Sequence, residues 1–497
     1  MSLHELSLML LIGGGVLLVC IAAVTMFNKV GLPALLAFLL LGTLLGDDAI
    51  GFAFHDVEVI QPIAMVALAL ILIEGGFSTR WRDIRPILLP ASVLATVGVG
   101  ISIGLTAVAT RLLLDWDWRM ALLVGAIIAS TDAAAVFSVL RNLRLPRRVA
   151  GLLEAESGFN DAPTVILVLA FSVHTEAESP LLIVLDLAYQ LAGGAVIGIV
   201  VGWAGAWGAR RIALPVAGLY PLGTVGLGII AFAAAGTIDA SGFLAAYLAA
   251  LVLGNSRLPH QGATLSFAQG TGWLAQIGLF VILGMLVELP ELLNAVVPAL
   301  VIGAALLLVA RPIAVALTLT PFRIAAADQA FIAWAGLRGA VPIVLATIPI
   351  VADVDGSAML LNVVFVLVII FTVVQGPSLQ HIARWLGLAT HSAFVDVDID
   401  SAPLDVLGAG IMTVTIGPRS GLHGLYLYEL RLPERSVVNS IVRDGQLFVP
   451  GQDERLRSGD ELMIITMRGS RDATEARLRA VARRGRLAGW YGEYGAE

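Results

Sequence analysis

The sequence predicts an all-α polytopic membrane protein of about thirteen transmembrane helices, with inverted repeats and two broken crossing helices, plus a small cytoplasmic α+β domain. Three observations predict it. Hydrophobic residues make up 58% of the 497 and charged residues 13%, with a mean hydropathy of +0.91; soluble domains carry about 25% charge. Apolar runs long enough to cross about 30 Å of hydrocarbon recur as far as residue 380. From about residue 391 the composition turns to short alternating segments divided by turn signals.

The runs fall at roughly 7–26, 32–46, 60–77, 87–111, 120–140, 149–173, 181–207, 219–236, 241–256, 268–287, 292–318, 326–350 and 358–380. Loop charges test this count independently. One set of loops carries Lys29, Arg80, Arg82, Arg85, Arg141, Arg144, Arg147, Arg148, Arg210, Arg211, Arg257, Arg323 and Arg384. The alternate set carries Asp47, Asp48, Asp56, Glu58, Asp115, Asp117, Glu176, Glu178, Asp239, Glu288, Glu291, Asp353 and Asp355. Basic loops face the cytoplasm, so the N-terminus is expected outside and the C-terminus inside. Only the loop of Asp115 and Asp117 is mixed, because Arg111 and Arg119 flank it. Met1 to Glu5 lacks a basic n-region, and the long run after it reads as a retained helix. The single cysteine, Cys20, excludes a disulfide framework and a thiolate metal site. The seven histidines form no metal-ligand pair.

These features divide the chain into a membrane domain over 1–387, a linker over 388–403 and a cytoplasmic domain over 404–497. In the last, strands are expected at Ile411 to Ile416, Val437 to Val442, Gln446 to Val449 and Leu462 to Thr466. Arg443-Asp444-Gly445 and Ser458-Gly459-Asp460 read as turns. A basic helical tail follows, roughly Asp472 to Arg486.

Three runs hold charge near their centres: Asp132 in the fifth, Asp161 in the sixth and Arg338 in the twelfth. A carboxylate there costs roughly 2.5–3.5 kcal/mol, so three charges at one depth point to one ion or proton site. The fifth and twelfth runs read as broken helices. Ala129-Ser130-Thr131-Asp132-Ala133 offers hydroxyls and a carboxylate to loose backbone groups, and Gly336-Leu337-Arg338-Gly339-Ala340-Val341-Pro342 destabilises a continuous helix. With the seventh run as a link, these are the fifth helices of two halves, where interrupted helices mark a transporter's binding site. Asp132 suits the positive N-terminal ends of the half-helices and Arg338 the negative C-terminal ends.

Spacing sorts the sixth run into faces. Ser157 and Asp161 share one face; Glu156 and Asn160 share another, about 100° round. Asp161 with Ser157 can line a site for a monovalent cation. Glu156 is expected to pair with Arg338, since an unpaired buried glutamate is very costly; a purely structural ion pair is the other reading of such charges. Glu74 and Arg311 read as snorkelling or paired supports. Gly194, Gly198 and Gly202 form a small-residue packing ladder, with a dimer interface as its alternative use.

Thr96-Val97-Gly98-Val99-Gly100 is similar to a potassium-channel filter, which makes a ligand-gated potassium channel the alternative function. A filter needs a re-entrant pore helix and four copies about one axis, whereas this motif lies inside one long run. Gly98 and Gly100 with Gly104 make no dinucleotide fingerprint, because no strand precedes them. An intramembrane aspartyl protease pairing Asp132 with Asp161 lacks the Gly-x-Gly-Asp context of that class, so the chain does not read as an enzyme.

At these residues the chain resembles the NhaP-type monovalent cation:proton antiporters. The matching stretches are Ser130-Thr131-Asp132-Ala133-Ala134-Ala135-Val136-Phe137, Glu156-Ser157-Gly158-Phe159-Asn160-Asp161-Ala162 and Gly336-Leu337-Arg338-Gly339-Ala340-Val341; Ile73-Glu74-Gly75-Gly76 is similar to a further one. The resemblance covers residues 1–385. It implies a homodimer in the bilayer of a bacterial inner membrane, with a dimerisation domain and a moving core. It also implies that Asp161 binds cation and proton in turn, helped by Thr131, Asp132, Ser157 and Asn160, while Glu156 and Arg338 stabilise the core. No cofactor is implied; K+ or Na+ and H+ are the substrates, and K+ is preferred. Gly421 to Gly424, Glu429 to Pro433 and Ser458-Gly459-Asp460 resemble the C-terminal half of potassium-conductance regulator domains, a pairing typical of the potassium/proton, cell-volume branch. Relatives often place proline directly after the key aspartate, where this chain has Ala162 and then Pro163. The cytoplasmic domain is expected to regulate transport. Arg419, Arg431 and Arg435 suit a nucleotide-like anion, against a reading as solvated surface charge; no nucleic-acid partner is expected.

Overall fold

The computed structural model describes residues 3–30, 34–46, 56–132, 136, 145–173, 180–212, 214–216, 218–256, 258–287, 289–388, 399–404 and 409–485. Outside them lie Ala133 to Ala135 and Phe137 of the first resemblance motif. Asp47, Asp48, Arg141, Arg144, Glu176, Glu178, Arg257 and Glu288 of the loop-charge pattern, part of the linker and the end of the basic tail also lie outside. The chain forms two compact units, residues 1–389 and 390–497.

In the first unit every apolar run carries a helix. They are α1 (Leu3–Val30), α2 (Leu35–Leu45), α3 (Val57–Ser78), α4 (Trp81–Leu114), α5 (Trp118–Ile127), α6 (Arg147–Val173) and α7 (Pro180–Arg211). The second half brings α8 (Leu219–Gly236), α9 (Gly242–Gly254), α10 (Gln261–Met285), α11 (Pro290–Phe322), α12a (Ala326–Trp334), α12b (Ala340–Val351) and α13 (Ser357–Trp385). Eight of these are apolar and long enough to cross a membrane, and four shorter ones are equally apolar. α6 is in neither group, because Glu154, Glu156, Asn160 and Asp161 dilute its apolar character.

Both expected interruptions are present. α5 stops at Ile127 and the chain runs non-helically through Ser130 to Asp132; α12a and α12b are divided by Ala335 to Gly339. The halves share a second irregularity. Their fourth helices, α4 and α11, each contain a π turn, at Leu94–Gly98 and Leu306–Ala310. Each π turn packs against the helix that carries the other. The filter-like motif thus begins in a π turn, and a β-carbon added at Gly98 would sit 3.5 Å from the Thr318 methyl. The motif packs helices.

The glycine ladder of α7 packs within the chain. β-Carbons at Gly194, Gly198 and Gly202 would meet the carbonyls of Ser241 at 2.5 Å, Ala245 at 2.5 Å and Ala249 at 2.9 Å. Two small-residue stripes of period four lie face to face on α7 and α9, leaving no room on that face for another subunit. The mixed loop is settled locally. Arg111 pairs with Asp115 at 2.9 Å, Asp117 accepts from the Met120 amide, and Arg119 donates to the carbonyls of Phe171 and Ser172 near the end of α6.

The second unit is a five-stranded antiparallel sheet of order β1-β2-β5-β3-β4. The strands are β1 (Ile399–Leu404), β2 (Ala409–Thr415), β3 (Ser436–Arg443), β4 (Gln446–Phe448) and β5 (Glu461–Met467), followed by α14 (Arg471–Arg484). The β3–β4 turn takes Asp444 and Gly445 at φ 51° and 77°, the left-handed pair a tight hairpin requires. Met412, Val414, Leu462 and Ile464 alternate inward, and Leu478 and Val481 of α14 complete the core. One expectation is corrected: β1 lies in the stretch read as linker, paired with β2 along its length.

Candidate functional site

The two interruptions meet. The Asp132 amide donates to the Leu337 carbonyl at 2.8 Å, so one backbone bond joins the non-helical stretches. Among the described residues the ends of α5, α12a and α12b flank these stretches, and their partial charges need opposite neighbours. Arg338 Nη1 donates to the Ala129 carbonyl at 2.8 Å and to the Ser130 carbonyl, both just beyond the C-terminal end of α5. At the N-terminal end of α12b, the Asp132 carboxylate packs on Gly339, where an added β-carbon would fall 2.0 Å from Oδ2. Glycine is required there because any side chain displaces the carboxylate.

α6 lays its polar residues on this crossing. Ser130 Oγ donates to Asp161 Oδ1 at 2.5 Å, and Ser157 Oγ donates to the Thr131 carbonyl at 2.9 Å. Asn160 Nδ2 donates to Thr131 Oγ1 at 2.7 Å, while its buried Oδ1 has no hydrogen-bond partner. α6 is continuous through Ala162 and Pro163, so the displaced proline leaves the helix intact. Asp161, Asp132, Thr131 and Ser157 line a cavity of about 250 Å3 that also takes in Glu74 and Glu154. Glu74 accepts from Ser78 Oγ at 2.8 Å. Gly158 lets the Tyr247 ring close against α6; a β-carbon there would lie 2.4 Å from it.

The expected Glu156–Arg338 pair is not formed. Glu156, with no exposed surface, takes both forks of Arg311, at 2.5 Å from Nη1 and 2.8 Å from Nη2. Arg338 is turned to the carbonyls beyond α5, which take its Nη1 in place of a carboxylate, while its buried Nε has no hydrogen-bond partner. Arg311 is buried at 3% exposure and does not snorkel; it follows directly on the π turn of α11. A bidentate arginine–carboxylate fork is the strongest arrangement such a pair adopts.

Two roles escaped sequence reasoning. Ser130, read only as a hydroxyl for loose backbone groups at the break, holds Asp161. Gln375 is buried in α13 and donates to the Trp334 carbonyl at 3.1 Å, covering the end of α12a. A lone amide within an apolar run was the signal there.

Residues 15–385 match the family described as "Sodium/hydrogen exchanger, transmembrane". The chain belongs to that family. Residues 411–479 match the TrkA-C domain, so this exchanger carries the regulator-type C-terminal unit its sequence resembles. It is 36% identical over 474 residues to the K(+)/H(+) antiporter NhaP of Alkalimonas amylolytica, covering 93% of this chain and 82% of that one. It is 34% identical over 492 residues to the K(+)/H(+) antiporter NhaP2 of Shewanella oneidensis, covering 95% and 83%. The exchanger's fold is similar to that of the sodium proton antiporter MjNhaP1 from Methanocaldococcus jannaschii. The TM-score is 0.66 at 22% identity, over 76% of this chain and 99% of that one.

Proposed function

We propose that this exchanger moves one K+ against one H+ by alternating access, with Asp161 as the shared carrier. The observation that carries the reading is Asp161 itself. It is buried among apolar helices yet lines a cavity, with Ser130, Ser157, Thr131, Asn160 and Asp132 around it. A bare carboxylate is costly in so apolar a setting, and either a proton or a cation neutralises it. The two ligands therefore compete for one group, and the core crosses loaded with one or the other. Thr131, Ser157, Asn160 and Asp132 supply the remaining oxygens, and the orphan Oδ1 of Asn160 is suited to a cation.

Exchange is electroneutral in this reading, because Asn160 stands where a second acid would sit beside Asp161. K+ is preferred over Na+ because relatives matching more than nine-tenths of this chain are named for K+. The exchanger works as a homodimer in a bacterial inner membrane, N-terminus outside. The C-terminal unit stays cytoplasmic and regulates without carrying ions, Arg419, Arg431 and Arg435 being its candidate anion contacts. The test is dissipation of a pH gradient in proteoliposomes by potassium, sodium or lithium. Wild type responds most to potassium and its equilibrium ignores a clamped membrane potential, whereas Asp161→Asn is inert but folded. Exchange surviving in Asp161→Asn sinks the carrier role, and a reversal point that moves with voltage sinks the one-for-one count.

A further inference from the structure

A second recess lies on the other flank of α6. Where Ser157 and Asp161 line the cation cavity, Phe159 lines an apolar crevice of about 590 Å3 between α4, α7 and α9. Its α4 wall is the stripe Trp81, Leu88, Ser92 and Thr96; Leu191, Ala195 and Ile199 of α7 and Leu248 of α9 face it. The volume falls within the roughly 300–1,000 Å3 of small-molecule sites.

Two polar side chains of the wall, Thr96 and Asn255, are bonded within the protein. Thr96 Oγ1 donates to the Ser92 carbonyl at 2.7 Å. Asn255 accepts from the Trp81 amide at 2.8 Å and donates to the carbonyls of Thr79 at 2.9 Å and Leu251 at 2.8 Å. The crevice therefore offers an occupant little besides hydrocarbon. Its mouth is different. Trp81 lines the crevice there, and exposed Arg85 stands four residues on, in the 3-10 turn Arg85–Ile87 that separates Trp81 from Leu88. Arg80, Arg82 and Arg85 are exposed, and Trp81 is 41% exposed beside them. The acid of this turn, Asp83, is half-buried, and its backbone carbonyl lies 3.3 Å from a β-carbon built on Gly151 of α6. Tryptophan marks the headgroup level of a bilayer, and basic residues at a recess between transmembrane helices recognise anionic headgroups.

We propose that this crevice holds an acyl chain of an anionic phospholipid whose headgroup rests on Arg85, flanked by Arg80 and Arg82. The chain end reaches Phe159, the neighbour of Asn160, so the lipid touches the helix that carries the cation site.

The test uses the full chain in phosphatidylcholine nanodiscs holding a trace of lipid with brominated acyl chains, which quench nearby tryptophan. The Trp81 signal is the difference between wild type and Trp81→Phe. Brominated phosphatidylglycerol quenches it several-fold more than the same fraction of brominated phosphatidylcholine. Arg85→Gln lowers that preference about fivefold, as loss of one interfacial charge predicts. Ser92→Phe fills the crevice and abolishes quenching by both lipids; Ala195→Phe on the facing helix does the same if Ser92→Phe fails to fold. Equal quenching by the two lipids, or an undiminished preference in Arg85→Gln, overturns the proposal.

Discussion

Each unit of the chain buries a carboxylate under an arginine, and the two solutions differ in what else the arginine touches. Glu156 and Arg311, at 0% and 3% side-chain exposure, have essentially only each other; Arg311 Nη2 reaches the Ile332 carbonyl at 3.4 Å and Nε has no partner. In the C-terminal unit Asp460 is equally buried, but Arg443 keeps 16% of its side chain in solvent. Asp460 accepts from Arg443 Nε at 2.8 Å, from Nη2 at 2.9 Å and from the Arg457 amide at 2.7 Å. Glu454 takes Nη1 at 2.9 Å. Asp460, with Glu454, holds the Arg443 guanidinium well above the usual arginine range. One fork depends wholly on its mate, whereas the other shares its charge with neighbours and water. The lesson is that equal burial does not mean equal dependence.

The largest effect is expected at the membrane fork. Arg311→Ala strands Glu156 at a cost of about 3–5 kcal/mol, read as lost thermal stability of the purified chain. Adding Glu156→Gln recovers much of that loss. Arg338→Ala is the control, since it uncovers carbonyls beyond α5 and Glu156→Gln does not rescue it. A rescue of Arg338→Ala instead would reinstate the pairing expected from sequence.

A smaller loss follows Arg443→Ala, about 1–3 kcal/mol, because Asp460 keeps the Arg457 amide and water can reach the vacated edge. Amide exchange in β3 and β5 of the full chain should quicken by that margin while α6 stays protected. Equal losses at the two forks would break the comparison. The smallest effect belongs to Glu475 and Arg479, a half-exposed i,i+4 pair on α14. Glu475→Ala should cost no more than about 0.5 kcal/mol and less at high salt, which a thermal melt across ionic strength would show.

The helices were legible because hydrocarbon tolerates so few alternatives, and the charge at each break was legible from the sign of the helix end it meets. Arg311 was legible in part: it read as a snorkelling or paired support, and the pair is present, but with Glu156, a mate the sequence had given to Arg338. β1 was missed for a different reason. Its residues, Ile399-Asp400-Ser401-Ala402-Pro403-Leu404, show no period-two apolar pattern, and Pro403 argues against a strand. Gln375 went unread because a helix cut short inside the protein, such as α12a, exposes carbonyls whose partner no local pattern announces.

The paired π turns have a consequence for how these helices tolerate insertion and deletion. A π turn holds one residue more than the α-helical turn it replaces, and that surplus rotates everything beyond it by about 100°. Removing Leu308, whose side chain is 65% exposed, would shorten α11 by one residue without touching the buried wall directly. It would also swing Arg311 a quarter-turn or more out of phase with the helix before it. In α4 and α11 the length of the chain, as much as its chemistry, sets which residues face each other.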